Sequence, residues 1–374
     1  MVQSRPTVVL SMIVKNEESV IEQCLSSVVN VIDTYCIVDT GSSDNTIDVI
    51  QAFFGAAGKT GVVEQRPWVN FGHNRSEALE LARSMGDYAF VMDADDILRG
   101  QPDFTSLDRD GYMIEIRLGS TSYWRYQLFS SRCPWRYEGV VHEFATCGTV
   151  QPGSRLIGDW WIEARTAGAR SSDRDKYRRD AELLRQEVDK NPNDSRSMFY
   201  LGQSLYDCGD HGAAAVAYAR RIAMGGWEEE VFFAKYRLGL CLMAMNKPRG
   251  EVIEALLDAW EYRPTRAEPL YQLSHWSREQ GLFRQAHLFA TQASRVRRSQ
   301  KDGLFIAEDV YGWRIMDELA VSAYHVGEFG ETLKLCVQLL RGSIVPEEHR
   351  DRIRRNLELA NSALSERSNK RMEK

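Results

Sequence analysis

The run Tyr88-Ala89-Phe90-Val91-Met92 carries no charge and leads straight into Asp93-Ala94-Asp95-Asp96. A short apolar run of this kind reads as a strand covered on both faces, as in a parallel sheet. The acids at its end cannot be buried unpaired. In open α/β sheets, the carboxyl end of a strand is where ligands bind. Asp93 and Asp95 project to opposite sides of an extended backbone unless the chain turns there. With a turn, both face one cation, and hard carboxylate oxygens suit Mg2+ or Mn2+. The simpler alternative is a strand-ending Asx turn.

The residues before this run alternate short β-branched segments with helical patterns, the pattern of a parallel α/β sheet. Thr7 to Val14 reads as the first strand, and Lys15-Asn16-Glu17-Glu18 ends it and opens a helix to about Val31. Cys36 to Asp39 is the second strand, and Asp44 in the following polar turn suits the N-cap of a helix reaching about Phe54. Gly61 to Gln65 is a third strand, Trp68 to His73 a loop, and Asn74 to Met85 a helix. Three strands therefore end in acids: Glu17, Asp39, and Asp93 with Asp95. For Asp39 alone, a turn cap is the competing explanation.

After Gly111 the pattern changes to half-buried alternation, in Tyr112 to Leu118 and Arg125 to Phe129, with Tyr123, Trp124, Trp135 and Tyr137 interleaved. Val140-Val141-His142-Glu143 reads as a further strand, so only one of His142 and Glu143 faces the ligand rim. The plainer alternatives are a hydrogen-bonded half-buried histidine and a solvated glutamate. Seven scattered cysteines include no C-x-x-C pair, which argues against zinc and against a disulfide framework and favours free thiols in a reducing cytoplasm. The apolar run Val8 to Val14 is too short to span a bilayer, so no membrane role is expected. A net charge of −6 gives no general attraction to nucleic acid.

Residues 166–175 (TAGARSSDRD) read as a linker between a domain over residues 1–165 and a helical domain over 176–374. The helical part repeats itself. A Leu-Gly or Leu-small pair precedes a small residue about a dozen positions on, with an aromatic or small residue four beyond it. Leu201-Gly202 with Ala214 and Tyr218, Leu273-Ser274 with Ala286 and Ala290, and Leu319-Ala320 with Thr332 and Cys336 all follow this rule; Leu238-Gly239 with Ala259 starts another unit. Small residues at those places let two helices approach closely. One helix pair cannot bury its apolar face alone, so such units stack into a solenoid. Trp227, Trp260, Trp276 and Trp313 are candidates for a concave surface or, more simply, for the core. The arginine-rich segment beyond Arg341 reads as a capping helix.

With these residues in view, the first half resembles a family-2 glycosyltransferase of the GT-A fold. Four blocks carry the resemblance: Ser11 to Glu18, Ile37 to Thr46, Phe71 to Leu79 and Val91 to Asp95. The whole chain is similar to a subgroup in which this α/β domain precedes tetratricopeptide repeats. The resemblance implies a nucleoside diphosphate sugar donor, with a UDP-sugar favoured, and a divalent metal, Mn2+ or Mg2+. It implies that Val14, Glu17 and Asp39 border the base and ribose, that Arg75 lies near the base or diphosphate, and that Asp93 and Ala94 line the donor. Asp95 would ligate the metal, with Asp93 and His142 as further ligands. Glu143 is the implied catalytic base, with Asp96, Asp159 and Glu163 as alternatives.

Two departures stand out. Related members often carry Arg where this chain has Gln127, and a His near where it reads Ile162 to Arg165. The expected activity is inverting hexosyl transfer to a protein or peptide presented by the repeats, in a protein compatible with homodimerisation. Two alternatives follow from the same residues: a phage-type transferase acting on modified DNA bases, and a nucleotide-binding scaffold without activity.

Overall fold

The computed structural model describes residues 5–139, 141–148, 154–165 and 175–372. By its contacts the chain divides into two compact units, residues 1–210 and 211–374. The expected linker at 166–175 falls, but for Asp175, outside the described residues.

The first unit is built on a mixed sheet. The strands β1 (Val8–Val14), β2 (Thr34–Asp39), β3 (Gly61–Gln65) and β4 (Tyr88–Val91) lie in the order β3-β2-β1-β4, all parallel. Their connections are α1 (Ile21–Val28), α2 (Thr46–Ala56) and α3 (Phe71–Arg83). β1 and β4 are almost fully covered, as their unbroken apolar runs require. Helix α3 starts earlier than its apolar pattern suggests, because the Asn70 side chain accepts from the His73 N–H at 2.8 Å and caps the helix there. The N-cap of α2 is Asn45 rather than the expected Asp44; Asp44, one residue earlier, accepts from the backbone N–H and the hydroxyl of Thr46.

The strands that follow are β5 (Ile97–Arg99), β6 (Gly111–Leu118), β7 (Thr121–Ser130), β8 (Arg136–Glu138), β9 (Phe144–Thr146), β10 (Ser154–Arg155) and β11 (Trp161–Glu163). Beyond β4 the order is β7-β6-β11-β5, with β7 antiparallel to both β4 and β6. β8 and β9 form a separate two-stranded hairpin. The strand expected through His142 and Glu143 is replaced by the link between β8 and β9, in which His142 has φ +53. A histidine in the left-handed region cannot continue a ladder, so simple alternation does not decide where these two side chains point.

Two apolar clusters cover the sheet. One joins Leu10, Met12, Ile37, Phe90 and Leu128 to α1 and α2. The other joins Val9, Ala89, Val91 and Phe129 to α3, Trp135 and Tyr137. Trp135 is thus core, and its indole N–H donates to the Asp110 carbonyl. Two helices, α4 (Lys176–Lys190) and α5 (Ser195–Asp207), pack as a pair and group with this unit.

The second unit is helical: α6 (His211–Met224), α7 (Glu228–Ala244), α8 (Arg249–Tyr262), α9 (Glu268–Glu279), α10 (Phe283–Ala293), α11 (Ile315–Val326), α12 (Phe329–Arg341) and α13 (Glu347–Met372). Successive helices pack on one another. A Cβ on Gly239 would sit 2.5 Å from the Leu256 side chain, so α7 and α8 meet where the repeat pattern put its small residue. Ala286 and Ala290 are buried against α9, and the Ser274 hydroxyl donates to the Ala286 carbonyl. The Thr332 hydroxyl donates to the Ala320 carbonyl in the equivalent place between α11 and α12. Helix α13 packs on α12 through Ile353, and Arg352 pairs with Asp317.

Candidate active site

Because β2, β1 and β4 are parallel neighbours, their carboxyl ends share one rim, about 10 Å wide for three strands. Val14 ends β1 in register with Asp39, which ends β2. Asp39 is fully buried, and its carboxylate accepts from the backbone N–H groups of Gly41 and Ser42 at 3.0 Å. Gly41 has φ +103, the conformation that aims its N–H back at that carboxylate. The loop after β1 is knitted to the loop after β2. Asn16 N–H donates to the Ser42 hydroxyl, Ser43 N–H to the Asn16 side chain, and Glu17 N–H to the Thr46 hydroxyl. These bonds hold Glu17 at the rim.

Past β4, Asp93 and Asp95 are half-buried, while Ala94 and Asp96 are buried. Asp96 is held well above the usual carboxylate range by its burial and by the charges of Asp93 and Asp95 beside it. The same acids and its own burial push the Cys24 thiol up. Arg165 braces the loop: its Nε donates to the Asp95 carbonyl at 2.7 Å and one terminal nitrogen to Gln23 on α1.

Arg75 reaches the rim from α3 and ion-pairs with Asp93. Its Nε lies 2.7 Å from a Glu143 carboxylate oxygen, close enough for an ion pair but not aligned as a hydrogen bond. Glu143 in turn accepts from Arg125 of β7 at 3.3 Å. The result is a chain of alternating charge, Asp93–Arg75–Glu143–Arg125. Burial alone would lower the Arg75 pKa, but Asp93 and Glu143 outweigh it and hold the guanidinium charged. Side-chain exposure is 9% for Arg75 and 7% for Glu143, against 28% for Arg125.

The sequence expectations fare unequally. Val14, Glu17 and Asp39 share one rim with the acids of the β4 end, and Arg75 meets Asp93 directly. Glu143 comes to the same place, but as a buried ion-pair partner rather than a solvated carboxylate. The expected grouping of Asp93, Asp95 and His142 is not assembled: among the described residues no three His, Cys, Asp or Glu side chains are arranged to hold a metal. The His142 ring lies flat on Tyr200 of α5, with centroids 4.2 Å apart, and its carbonyl accepts from Arg196. Both face a cavity of about 680 Å3 beside the hairpin. Of the alternative bases, Glu163 pairs with Arg99 and Asp159 is exposed.

The sequence does not mark Arg125, Tyr137 or Arg165 as site residues. The alternation around Arg125 was visible, but a bulge in β7 was not. Tyr112 pairs with Leu128 and Met113 with Tyr126, so Gln127 is an extra residue. Phe129 and Tyr126 consequently reach one core while Leu128 and Tyr123 reach the other. Such bulges re-aim side chains near functional sites.

Residues 10–106 match the model of Glycosyl transferase family 2. Over 313 residues the chain is 27% identical to a TPR repeat-containing protein of Synechococcus elongatus, covering 76% of this chain and 74% of that one. Over 93 residues it is 30% identical to the SPbeta prophage-derived glycosyltransferase SunS of Bacillus subtilis, which is 25% of this chain and 21% of that protein. A TPR protein of Thermus thermophilus overlays with a TM-score of 0.35 at 17% identity, over 49% of this chain and 91% of its own. The chain is thus similar over residues 10–106 to a family-2 glycosyltransferase domain, and over most of its length to a TPR repeat-containing protein.

Proposed function

We propose that the chain is an inverting, metal-assisted glycosyltransferase that moves a sugar from a nucleoside diphosphate sugar, a UDP-sugar first among them, to a protein or peptide acceptor presented by the repeats. The observation that carries this reading is the convergence of Asp39, Asp93 with Arg75, and Asp95 on one strand-end rim, inside the segment that matches family 2. Asp39, Val14 and Glu17 would border the base and ribose.

A divalent metal fits the donor set. Three carboxylates are crowded at the end of β4; Asp96 is raised first by its burial and then by the charges of Asp93 and Asp95, a repulsion that a cation would relieve. Mg2+ and Mn2+ sites need only one or two protein carboxylates when substrate phosphates complete the shell, so a preformed cage of three ligands is not required. Asp95, with Asp93 beside it, would hold the ion. Bound there, the ion offsets charge on the departing diphosphate. Arg75 fixes Asp93 in place. Glu143 holds Arg75 and Arg125 rather than taking the acceptor proton, since its carboxylate is covered by both guanidiniums. Single displacement at the anomeric carbon inverts its configuration, and a carboxylate on the acceptor side receives the proton.

The test is stabilisation by UDP, GDP, dTDP, CMP and ADP, each with Mn2+, Mg2+ or EDTA. A ligand at one hundred times its Kd adds about 2.7 kcal/mol to native stability. A metal-dependent rise with one diphosphate, abolished in Asp95→Ala, is expected. No rise with any nucleotide refutes the proposal.

A further inference from the structure

We infer that Arg125 is the diphosphate-binding cation of this site, the group that meets the charge released on the leaving diphosphate. The inference rests on the glycosyltransferase reading and goes beyond it by assigning one residue to the diphosphate.

The cations near the acids are committed to different partners. Arg75 is almost wholly buried and divided between Asp93 and Glu143. Arg165 is turned to the Asp95 carbonyl and Gln23, so it braces backbone. Arg125 differs. Its side chain is 28% exposed, and its hydrogen bond to Glu143 is a long 3.3 Å, made by one of the five N–H groups a guanidinium offers. Its burial and the charge of Arg75 act to lower its pKa, and the charges of Glu143 and Asp93 outweigh them and hold it charged. One terminal nitrogen of Arg165 is also without a partner among the described residues, but it is buried; Arg125 is the guanidinium of the cluster that combines unused donors with a partly exposed side chain, and a guanidinium matches phosphate oxygens in a forked geometry.

A second observation points to an oxyanion in the same place. The Tyr137 ring is buried at 5% exposure, and its hydroxyl finds no hydrogen-bond partner among the described residues. The charges that act on this hydroxyl are those of Arg125, Arg75, Glu143 and Asp93. A buried phenol left without a partner costs free energy unless a ligand or water completes it. Beside two guanidiniums, a phosphate oxygen is the complement.

The chemistry of the reaction asks for such a group. In the transfer, the bond between the anomeric carbon and the diphosphate oxygen breaks as the acceptor oxygen or sulfur bonds to that carbon. The electron pair leaves with the diphosphate, and the acceptor's proton passes to a carboxylate. The released diphosphate carries more negative charge than the sugar ester did. Arg75 cannot meet that added charge without surrendering Asp93 or Glu143. Arg125 can, because Glu143 keeps Arg75 when Arg125 turns to the phosphate.

The experiment is calorimetric titration of the full chain with UDP and UMP, and in parallel GDP and GMP, in the presence of Mn2+. Wild type is compared with Arg125→Gln and Arg125→Lys. The inference expects Arg125→Gln to weaken the diphosphate roughly 10- to 100-fold while changing the monophosphate by no more than about 3-fold. Arg125→Lys, which keeps the charge and loses the fork, should fall between, and it carries the test if the Gln variant does not fold. Equal loss for diphosphate and monophosphate, or no loss for either, overturns the inference and leaves the glycosyltransferase reading standing. Wild-type protein that binds none of these four, nor dTDP, CMP or ADP, overturns both.

Discussion

Glu143→Gln separates the two roles open to this residue. In the structure its carboxylate lies 2.7 Å from Arg75 and 3.3 Å from Arg125, at 7% exposure. Breaking a buried ion pair by neutralising one partner costs about 3–5 kcal/mol, because the other charge is left uncompensated. Two features place this case at the lower end. Asp93 still pairs with Arg75, and the Gln amide keeps one acceptor oxygen. What is lost is the charge that lets the two guanidiniums lie side by side. A loss of about 3 kcal/mol lowers the melting temperature of a unit this size by roughly 6–12 °C. Scanning calorimetry of the first transition and urea unfolding followed by tryptophan fluorescence both read it. The double variant Arg125→Gln/Glu143→Gln removes one charge of each sign and should recover part of the loss, because Arg75 and Asp93 remain paired. If Glu143→Gln keeps wild-type stability and nucleotide affinity but abolishes transfer, the reasoning fails and Glu143 is the base.

Three further outcomes follow from the geometry. Asp39→Asn weakens two hydrogen bonds from Gly41 and Ser42 to a buried carboxylate, so nucleotide affinity by calorimetry should drop and stability fall by about 1–3 kcal/mol. Gly72→Ala places a Cβ 2.5 Å from the Gly139 carbonyl, where backbone on both sides must shift; urea unfolding should show a loss of about 1–3 kcal/mol, with a comparable one for Gly239→Ala, whose Cβ would lie 2.5 Å from Cδ2 and 2.7 Å from Cγ of the fully buried Leu256. In the repeat unit, the hydrogen bond to Glu318 raises His275 above its ordinary value despite its partial burial. That contact therefore stabilises fully below about pH 6.5 and fades as pH rises through the raised value. For Glu318, burial alone would raise the carboxylate, but bonds from His275 and Arg278 outweigh it and lower it. Its contribution is present above its ordinary value and disappears on acidification through the lowered one. The stability gap between wild type and His275→Ala should thus be wider at pH 6 than at pH 8.5, and thermal unfolding at the two values checks it.

What the sequence disclosed and what it withheld divide along a physical line. The parallel strands, the acid rim and the repeat signature depend on local pattern. Val8 to Val14 is apolar because both its faces are covered, and Gly239 is small because Leu256 presses on it. Such demands fall on the residue itself and are legible there. The role of Glu143 depends instead on partners 68 and 18 positions away, Arg75 and Arg125. No local rule announces that a glutamate next to a histidine will lie between two guanidiniums. The setting of Arg125 is further hidden by Gln127, which shifts the alternation of β7 by one residue and so changes the face on which every earlier side chain lies. His142 was misread for a related reason. Its positive φ ends the extended run that adjacency to Val141 suggested, and its ring turns to Tyr200, on a helix more than fifty residues further along the chain. A charge in a sequence thus states that water or an opposite charge must be found. Which of the two it finds is decided by the bulge and the link that bring distant residues together, and in this site both lie where the pattern of strands breaks.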